Sequence, residues 1–260
     1  MRFTLKKKLR DKKIIVGFIL NYYAPAIVET FGMAGADYFI LDNEHGCFSE
    51  TEMENMVRAA DSVGISTIVR VDYDNSSIQK ALDMGAEGVQ IPKINTRSDA
   101  ERAVMLAKYP PDGERGVGLS ARAVRVSETK GAAYLRLANE NVLVIAQIET
   151  PAAIENIREI ITTPGIDVAF LGKMDLSTAV GTPGDTTSPI MTELIEKFFS
   201  ATSETGIVSG YIYDGKKPLA DRREQNALYI TTVVNCMGNI GEILKERDAL
   251  EHHTPEKYAK

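Results

Sequence analysis

Short apolar runs recur along the chain and alternate with stretches whose apolar positions fall at helical spacing. The runs lie at residues 14–20 (IIVGFIL), 38–42 (YFILD), 66–71 (STIVRV), 88–94 (GVQIPKI), 142–148 (VLVIAQI), 168–172 (VAFLG), 207–213 (IVSGYIY) and 228–234 (LYITTVV). Rich in Val and Ile and bounded by turn signals, they predict strands buried on both faces, as in a parallel sheet. Helices are predicted over 26–35, 49–64, 75–86, 98–109, 128–140, 151–161, 192–206 and 218–226, with an amphipathic tail helix over 239–253. Ser49 and Glu52 stand at capping-box spacing and Gly64 closes that helix; Ser98, with Glu101 three residues on, is the expected N-cap of the helix over 98–109. Eight strands alternating with helices in 260 residues is the pattern of a (β/α)8 TIM barrel. The expected organisation is one domain over 1–260, with 239–260 as C-terminal helix and tail. A doubly wound open sheet is the alternative, and no glycine-rich phosphate fingerprint follows the first strand to support it.

A barrel collects its chemistry at the C-terminal ends of its strands. The sharpest signal is the strand–helix–strand unit over 142–175. Glu149 follows its first strand and Asp175 its second, so parallel strands bring both carboxylates out at one end. Two carboxylates with no Cys or His between them suit a hard divalent cation such as Mg²⁺ or Mn²⁺. The same rim receives Asp42-Asn43-Glu44-His45 after the second strand, Arg70 from the third, Pro92-Lys93 from the fourth, Gln147 from the fifth and Gly172-Lys173-Met174 from the sixth. Base, cationic clamp and metal ligands on one rim meet the geometric part of an active-site test. Taken singly, each has a plainer reading. Asp42 can pair with Arg70, Glu44 can be structural, and His45 can be an ordinary loop histidine. Lys93 and Lys173 lack the evident desolvation that a Schiff-base lysine needs. Loops at 115–118 and 181–185 are candidates for closing over the site.

The formal charge of −6 argues against a general nucleic-acid binder, and no apolar stretch approaches the ~20 residues needed to cross a bilayer. The basic cluster KKKLRDKK at 6–13 is not followed by the apolar region and cleavage site of a targeting signal, and reads as a solvated first helix. Cys47 and Cys236 show no zinc spacing and fit a reduced, cytoplasmic setting. His252 and His253 sit in the tail and read as solvated.

The stretches DYFILDNEH (37–45), VR (69–70), ALDMGAEGVQIPKI (81–94), YPPDGERGVG (109–118), AQIET (146–150) and VAFLGKMDLS (168–177) resemble, in order, the HpcH/HpaI family of metal-dependent (class II) pyruvate aldolases. The resemblance implies reversible cleavage of 4-hydroxy-2-oxo acids to pyruvate and an aldehyde, with Mg²⁺, Mn²⁺ or Co²⁺ as cofactor. It implies that Glu149 and Asp175 hold the metal and that Arg70 supports the enolate oxygen. His45 becomes the general base, oriented by Asp83, and Gln147 lies just behind the metal ligands. The backbone around Gly172, Lys173 and Met174 would receive the pyruvate carboxylate. It further implies a homo-oligomer, hexameric, with the C-terminal helix exchanged between neighbours; Asp83 would then serve an adjacent subunit. By the residues alone, Asp83 is a solvated helix acid and the tail helix packs on its own barrel. Asn43 stands where the family has glycine, and Lys173-Met174 where it has Pro-Ala. Those departures keep open an oxaloacetate-using condensing enzyme and a non-catalytic oxo-acid-binding paralogue.

Overall fold

A computed structural model describes residues 3–72, 74–213, 219–233 and 237–252. In chain order its elements are α1 (Leu5–Arg10), β1 (Ile15–Leu20), α2 (Pro25–Met33), β2 (Tyr38–Asp42), α3 (Glu50–Val63), β3 (Ser66–Arg70), α4 (Asn75–Met84), β4 (Gly88–Ile91) and α5 (Arg97–Ala107). There follow α6 (Arg122–Val126), α7 (Gly131–Asn141), β5 (Leu143–Ile148), α8 (Pro151–Glu155), α9 (Ile157–Ile161), β6 (Val168–Leu171) and α10 (Lys173–Ala179). The last are α11 (Pro189–Thr205), β7 (Val208–Ile212), α12 (Leu219–Glu224), β8 (Ala227–Val233) and α13 (Met237–His252). The strands close in sequence order into a barrel, with β1 pairing in parallel with both β2 and β8. The expected (β/α)8 fold is therefore the observed one.

Local chemistry explains where the observed elements depart from expectation. β4 ends at Ile91 and not at Ile94, because Lys93 adopts a left-handed φ of 53° that breaks the extended backbone. The N-cap of α5 is Thr96, not Ser98. Thr96 Oγ1 accepts the Asp99 N–H at 3.2 Å while Asp99 Oδ2 accepts the Thr96 N–H at 2.9 Å, a complete capping box that leaves Ser98 inside the first turn. The helix expected over 151–161 is divided into α8 and α9 at Asn156, whose side chain donates to the Asn95 carbonyl at 2.9 Å. The Ser49–Glu52 box and the left-handed Gly64 cap of α3 form as expected.

Side chains from neighbouring strands fill the barrel interior. Tyr38 lies where a Cβ on Gly17 would come within 2.4 Å of its ring, so β1 can pass only as glycine. The Tyr38 hydroxyl donates to the Ile230 carbonyl at 2.8 Å, and its ring stacks on Tyr229 with centroids 4.5 Å apart.

The N-terminal ends of the strands form a floor, and α1 lies across it. It is not the solvated helix its charge suggests, for Leu5 and Leu9 are buried. The residues preceding the even-numbered strands are Asp37, Glu87, Asp167 and Asn226, and the first segment of the chain reaches each of them. Lys8 pairs with Asp37 at 2.5 Å and Lys6 with Asp167 at 2.6 Å. The Leu5 N–H donates to Glu87 Oε1 at 2.6 Å, and Lys12 donates to Asn226 Oδ1 at 3.0 Å. Ser66 holds the other Glu87 oxygen, yet burial dominates and pushes the Glu87 carboxyl up to about 7.

The final helix, α13, packs on its own barrel, with Ile240, Ile243 and Leu244 buried and Arg247 paired to Asp37 at 2.9 Å. Cys236, His253 and the tail beyond it lie outside the described residues.

Candidate active site

At the mouth, β2 and β3 contribute a packed charge cluster. Asp42 ends β2 beside Arg70, its register partner at the end of β3. The pair is two-pronged, with Arg70 Nε to Asp42 Oδ1 at 2.8 Å and Nη2 to Oδ2 at 2.6 Å. Asp42 Oδ1 also accepts the N–H groups of Glu44 and His45 at 3.2 and 3.3 Å, which folds the turn after β2 back over the strand end. The plainer reading of Asp42 therefore holds. Arg70 Nη1 lies 3.4 Å from Glu44 Oε2, and the Glu44 side chain is only 5% exposed. Burial works against the Arg70 charge, but Asp42, Glu44 and Glu149 outweigh it and hold the guanidinium above its ordinary range. His45 is 54% exposed, with Nε2 3.9 Å from Glu44 Oε2. The carboxylate beside His45 is thus Glu44, which sequence reasoning passed over as structural.

β5 and β6 contribute the opposite side. Glu149 is buried, and both of its oxygens are held. Oε1 accepts the Lys93 N–H at 2.7 Å, a donor aimed there by the left-handed backbone at Lys93, and Oε2 accepts the Gln147 side-chain amide. Burial pushes the Glu149 carboxyl up; the Gln147 and Lys93 hydrogen bonds pull it down; Asp175 and Glu44 push it up again. Asp175 stands in the first turn of α10, exposed at the mouth. Gly172 leaves room for Glu149: a Cβ there would sit 2.7 Å from Glu149 Cβ and 2.9 Å from Glu149 Oε2. The Gly172 N–H is bonded to the Ile148 carbonyl at 2.9 Å and so is not offered to a ligand. The Met174 side chain is 58% exposed. Behind Gln147 lies Gln90 of β4, whose amide donates to Gln147 Oε1. Gln90 was missed because a lone Gln in a strand run carries no signal.

Among the described residues, no three Asp, Glu, His or Cys side chains converge into a ready-made metal cage. The donors present are nonetheless of the right kind. Glu149 and Asp175 offer hard oxygens; burial first, and the Asp175 charge after it, push the Glu149 carboxyl up, and a divalent cation would offset both.

Asp83 is not brought to His45 within one chain. It occupies the last turn of α4, the end that leads down to the N-terminus of β4, and pairs with Arg115 at 2.6 Å. The 115–118 loop lies on that floor side too. The Arg115 N–H donates to the Lys108 carbonyl at the end of α5, and the Gly116 N–H to Gln79 of α4 at 3.2 Å, so it does not close over this chain's own mouth. The loop at 181–185 is at the mouth, tied to Ser177 of α10 through Thr182 and Gly184. Asn43 donates to Asp72 Oδ2 at 3.2 Å, linking the loops after β2 and β3. Cys47 is exposed and free. No described helix is long and apolar enough to cross a membrane.

A profile of the HpcH/HpaI aldolase/citrate lyase family matches residues 16–234. The chain belongs to that family. A 4-hydroxy-2-oxovalerate aldolase from Novosphingobium aromaticivorans is 35% identical over 211 residues, covering 80% of this chain and 79% of its own. A 2-keto-3-deoxy-L-rhamnonate aldolase from Escherichia coli is 30% identical over 209 residues, covering 80% and 78%. Among solved structures, the HpcH/HpaI aldolase from Desulfitobacterium hafniense superposes with a TM-score of 0.82 at 34% identity, covering 96% of this chain and 97% of that one. A citrate synthase, SbnG, also superposes at 0.82, with 25% identity over 96% of this chain and 98% of that one. The expectation of a carbon–carbon lyase of the aldolase type is borne out.

Proposed function

We propose that this family member is a divalent-metal-dependent aldolase that cleaves a 4-hydroxy-2-oxo acid reversibly to pyruvate and an aldehyde. The observation that carries the reading is the placement of largely buried Arg70 within the electrostatic reach of Glu149, across a mouth that also holds Asp175 and His45. Glu149 and Asp175 would hold the cation, Mg²⁺, Mn²⁺ or Co²⁺. When bound, it supplies Lewis-acid stabilisation of the charge that bond breaking leaves on the keto oxygen. Arg70, fixed by Asp42, presents a second, preorganised positive charge to that oxygen. His45 takes the C4 hydroxyl proton, the C3–C4 bond breaks to release the aldehyde, and C3 regains a proton to give pyruvate. The N–H groups of Lys173 and Met174 receive the 2-oxo acid carboxylate, with Gln147 holding Glu149 from behind.

The working enzyme is a cytoplasmic homo-oligomer, hexameric, in which the contacts α13 makes on its own barrel, Arg247 with Asp37 among them, are made on a neighbour's instead. The position of Asp83, at the far end of its own barrel from His45, supports a partnership between copies in which it orients a neighbour's His45. Mixing His45→Ala and Asp83→Ala subunits would then restore activity that neither shows alone. A second reading, condensation using oxaloacetate, draws on the likeness to a citrate synthase and on Lys173-Met174.

Pyruvate release from a panel of 4-hydroxy-2-oxo acids, measured with EDTA and again after adding back each metal, tests the proposal. Release that depends on metal is the expected result. No release with any metal, together with product formation from oxaloacetate and an acyl thioester, would transfer the site to the second reading. Binding of 2-oxo acids without turnover of any kind would mark a non-catalytic paralogue.

A further inference from the structure

We infer that Gln90 is a positioning residue that sets the direction of Glu149 through Gln147, an inference that rests on the metal-site reading above. Gln90 and Gln147 are each 1% exposed, on adjacent strands β4 and β5. Gln147 donates its amide to Glu149 Oε2, and Gln90 donates its own to Gln147 Oε1. The polarity of this chain follows from a single charge. A carboxylate only accepts, so Gln147 must turn its NH₂ toward Glu149. Its carbonyl then points the other way and needs a donor, which the Gln90 NH₂ supplies.

The cost of this arrangement is visible at its far end. Gln90 Oε1 is buried and has no hydrogen-bond partner among the described residues. Turning the Gln90 amide over would expose Nε2 instead and set two carbonyl oxygens against each other, freeing Gln147. An unpaired buried carbonyl is tolerated here because the opposite choice would release the side chain that holds Glu149. Glu149 Oε1 is fixed independently by the Lys93 N–H. Gln90 therefore governs one of two anchors, and its loss frees the Gln147 amide, whose terminal torsion is broad.

The test is Mn²⁺ affinity, read by electron paramagnetic resonance of the free ion and by calorimetry, in wild type, Gln90→Leu, Gln147→Leu and the double variant. Gln90→Leu is expected to weaken binding about tenfold or more. The substitution removes one unpaired buried carbonyl, that of Gln90, and leaves another, Gln147 Oε1, in its place, so affinity and not thermal stability is the readout. In the Gln147→Leu background the same change should have little further effect, because the route to Glu149 is already cut. Unaltered affinity in Gln90→Leu, with wild type binding normally, would overturn the inference alone. So would a Gln90→Leu loss that persists in full without Gln147. A wild type that binds no Mn²⁺ would overturn the metal reading, and this inference with it.

Discussion

Arg70 grips Asp42 through two near-parallel hydrogen bonds, which turns its remaining nitrogen, Nη1, toward Glu44. The fork fixes the guanidinium plane, and a lysine cannot reproduce it, being a point charge on a flexible stem. Arg70→Lys should lower kcat about 10²–10³-fold, the loss typical of a missing preorganised donor. Asp42→Asn should lower kcat too and cost about 1–3 kcal/mol of stability, because it strips a largely buried guanidinium of its two-pronged carboxylate and leaves only Glu44 and Glu149 to offset the charge. Steady-state pyruvate release and denaturant unfolding check the two parts. Normal turnover in Arg70→Lys would show that only charge is needed.

His45 stands half-exposed with its turn pinned by Asp42, so its removal leaves the packed part of the site intact. His45→Ala should lower aldol cleavage about 10²–10⁴-fold while pyruvate binding is retained. Calorimetric titration with pyruvate beside a cleavage assay separates the two, and equal losses in both would remove His45 from proton transfer.

The raised Glu149 carboxyl gives metal binding a pH signature. A cation needs the ionised form, and burial makes Glu149 hold its proton at a higher pH than an ordinary glutamate. Metal affinity should therefore begin to fall, as pH is lowered, sooner than a solvated carboxylate would require. Glu149→Gln should abolish binding with the fold retained. Mn²⁺ affinity measured across the acidic range reports both effects, and a variant that still bound Mn²⁺ would exclude Glu149 as a ligand.

Gly172 is a steric requirement. In Gly172→Ala the new methyl must displace Glu149, whose Cβ and Oε2 lie 2.7 and 2.9 Å from where it would sit. Since Gln147 and Lys93 fix the carboxylate, the displacement breaks at least one of those bonds. Metal affinity should fall about tenfold or more, with a folded far-ultraviolet spectrum. Unchanged affinity would show that α10 can shift instead.

Glu87 titrates beneath the barrel. Its folded value, about 7, lies above the unfolded value of 4.5, so the neutral form favours folding. That contribution is fully present below pH 4.5 and is lost as pH rises through about 7. Glu87→Gln keeps an acceptor for the Leu5 N–H and removes the titration. Wild type should lose stability relative to this variant between pH 5 and 8, by up to about 3 kcal/mol. Thermal unfolding across that range decides it, and parallel curves would mean that Glu87 stays ionised when buried.

Strand periodicity is a short-range property, and it made the barrel and its rim legible: His45, Arg70, Glu149 and Asp175 all fall where alternating strands and helices place them. The pairings across strands were not legible. The Asp42–Arg70 pair was offered by the sequence as one of two readings and is the one observed, but that Glu44 is the acid beside His45 and that Gln90 stands behind Gln147 depend on barrel closure and shear, which no local window encodes. The left-handed turn at Lys93 was hidden for another reason: nothing but the Glu149 carboxylate above it requires a non-glycine residue to adopt that backbone. The α5 cap was misplaced by two residues because Thr96 and Ser98 each have an acid three positions on, and only backbone geometry chooses between them.

The helix across the floor has a consequence for the chain during synthesis. α1 leaves the ribosome before the barrel strands, yet Lys6 must wait for Asp167, and Lys12 for Asn226, which follows it by 214 residues. Until then a lysine-rich segment with two unburied leucines trails from a half-made barrel. Docking that segment becomes one of the last events of folding, after the slow, long-range pairing of β8 with β1. A segment made before the barrel is thus among the last to find its place.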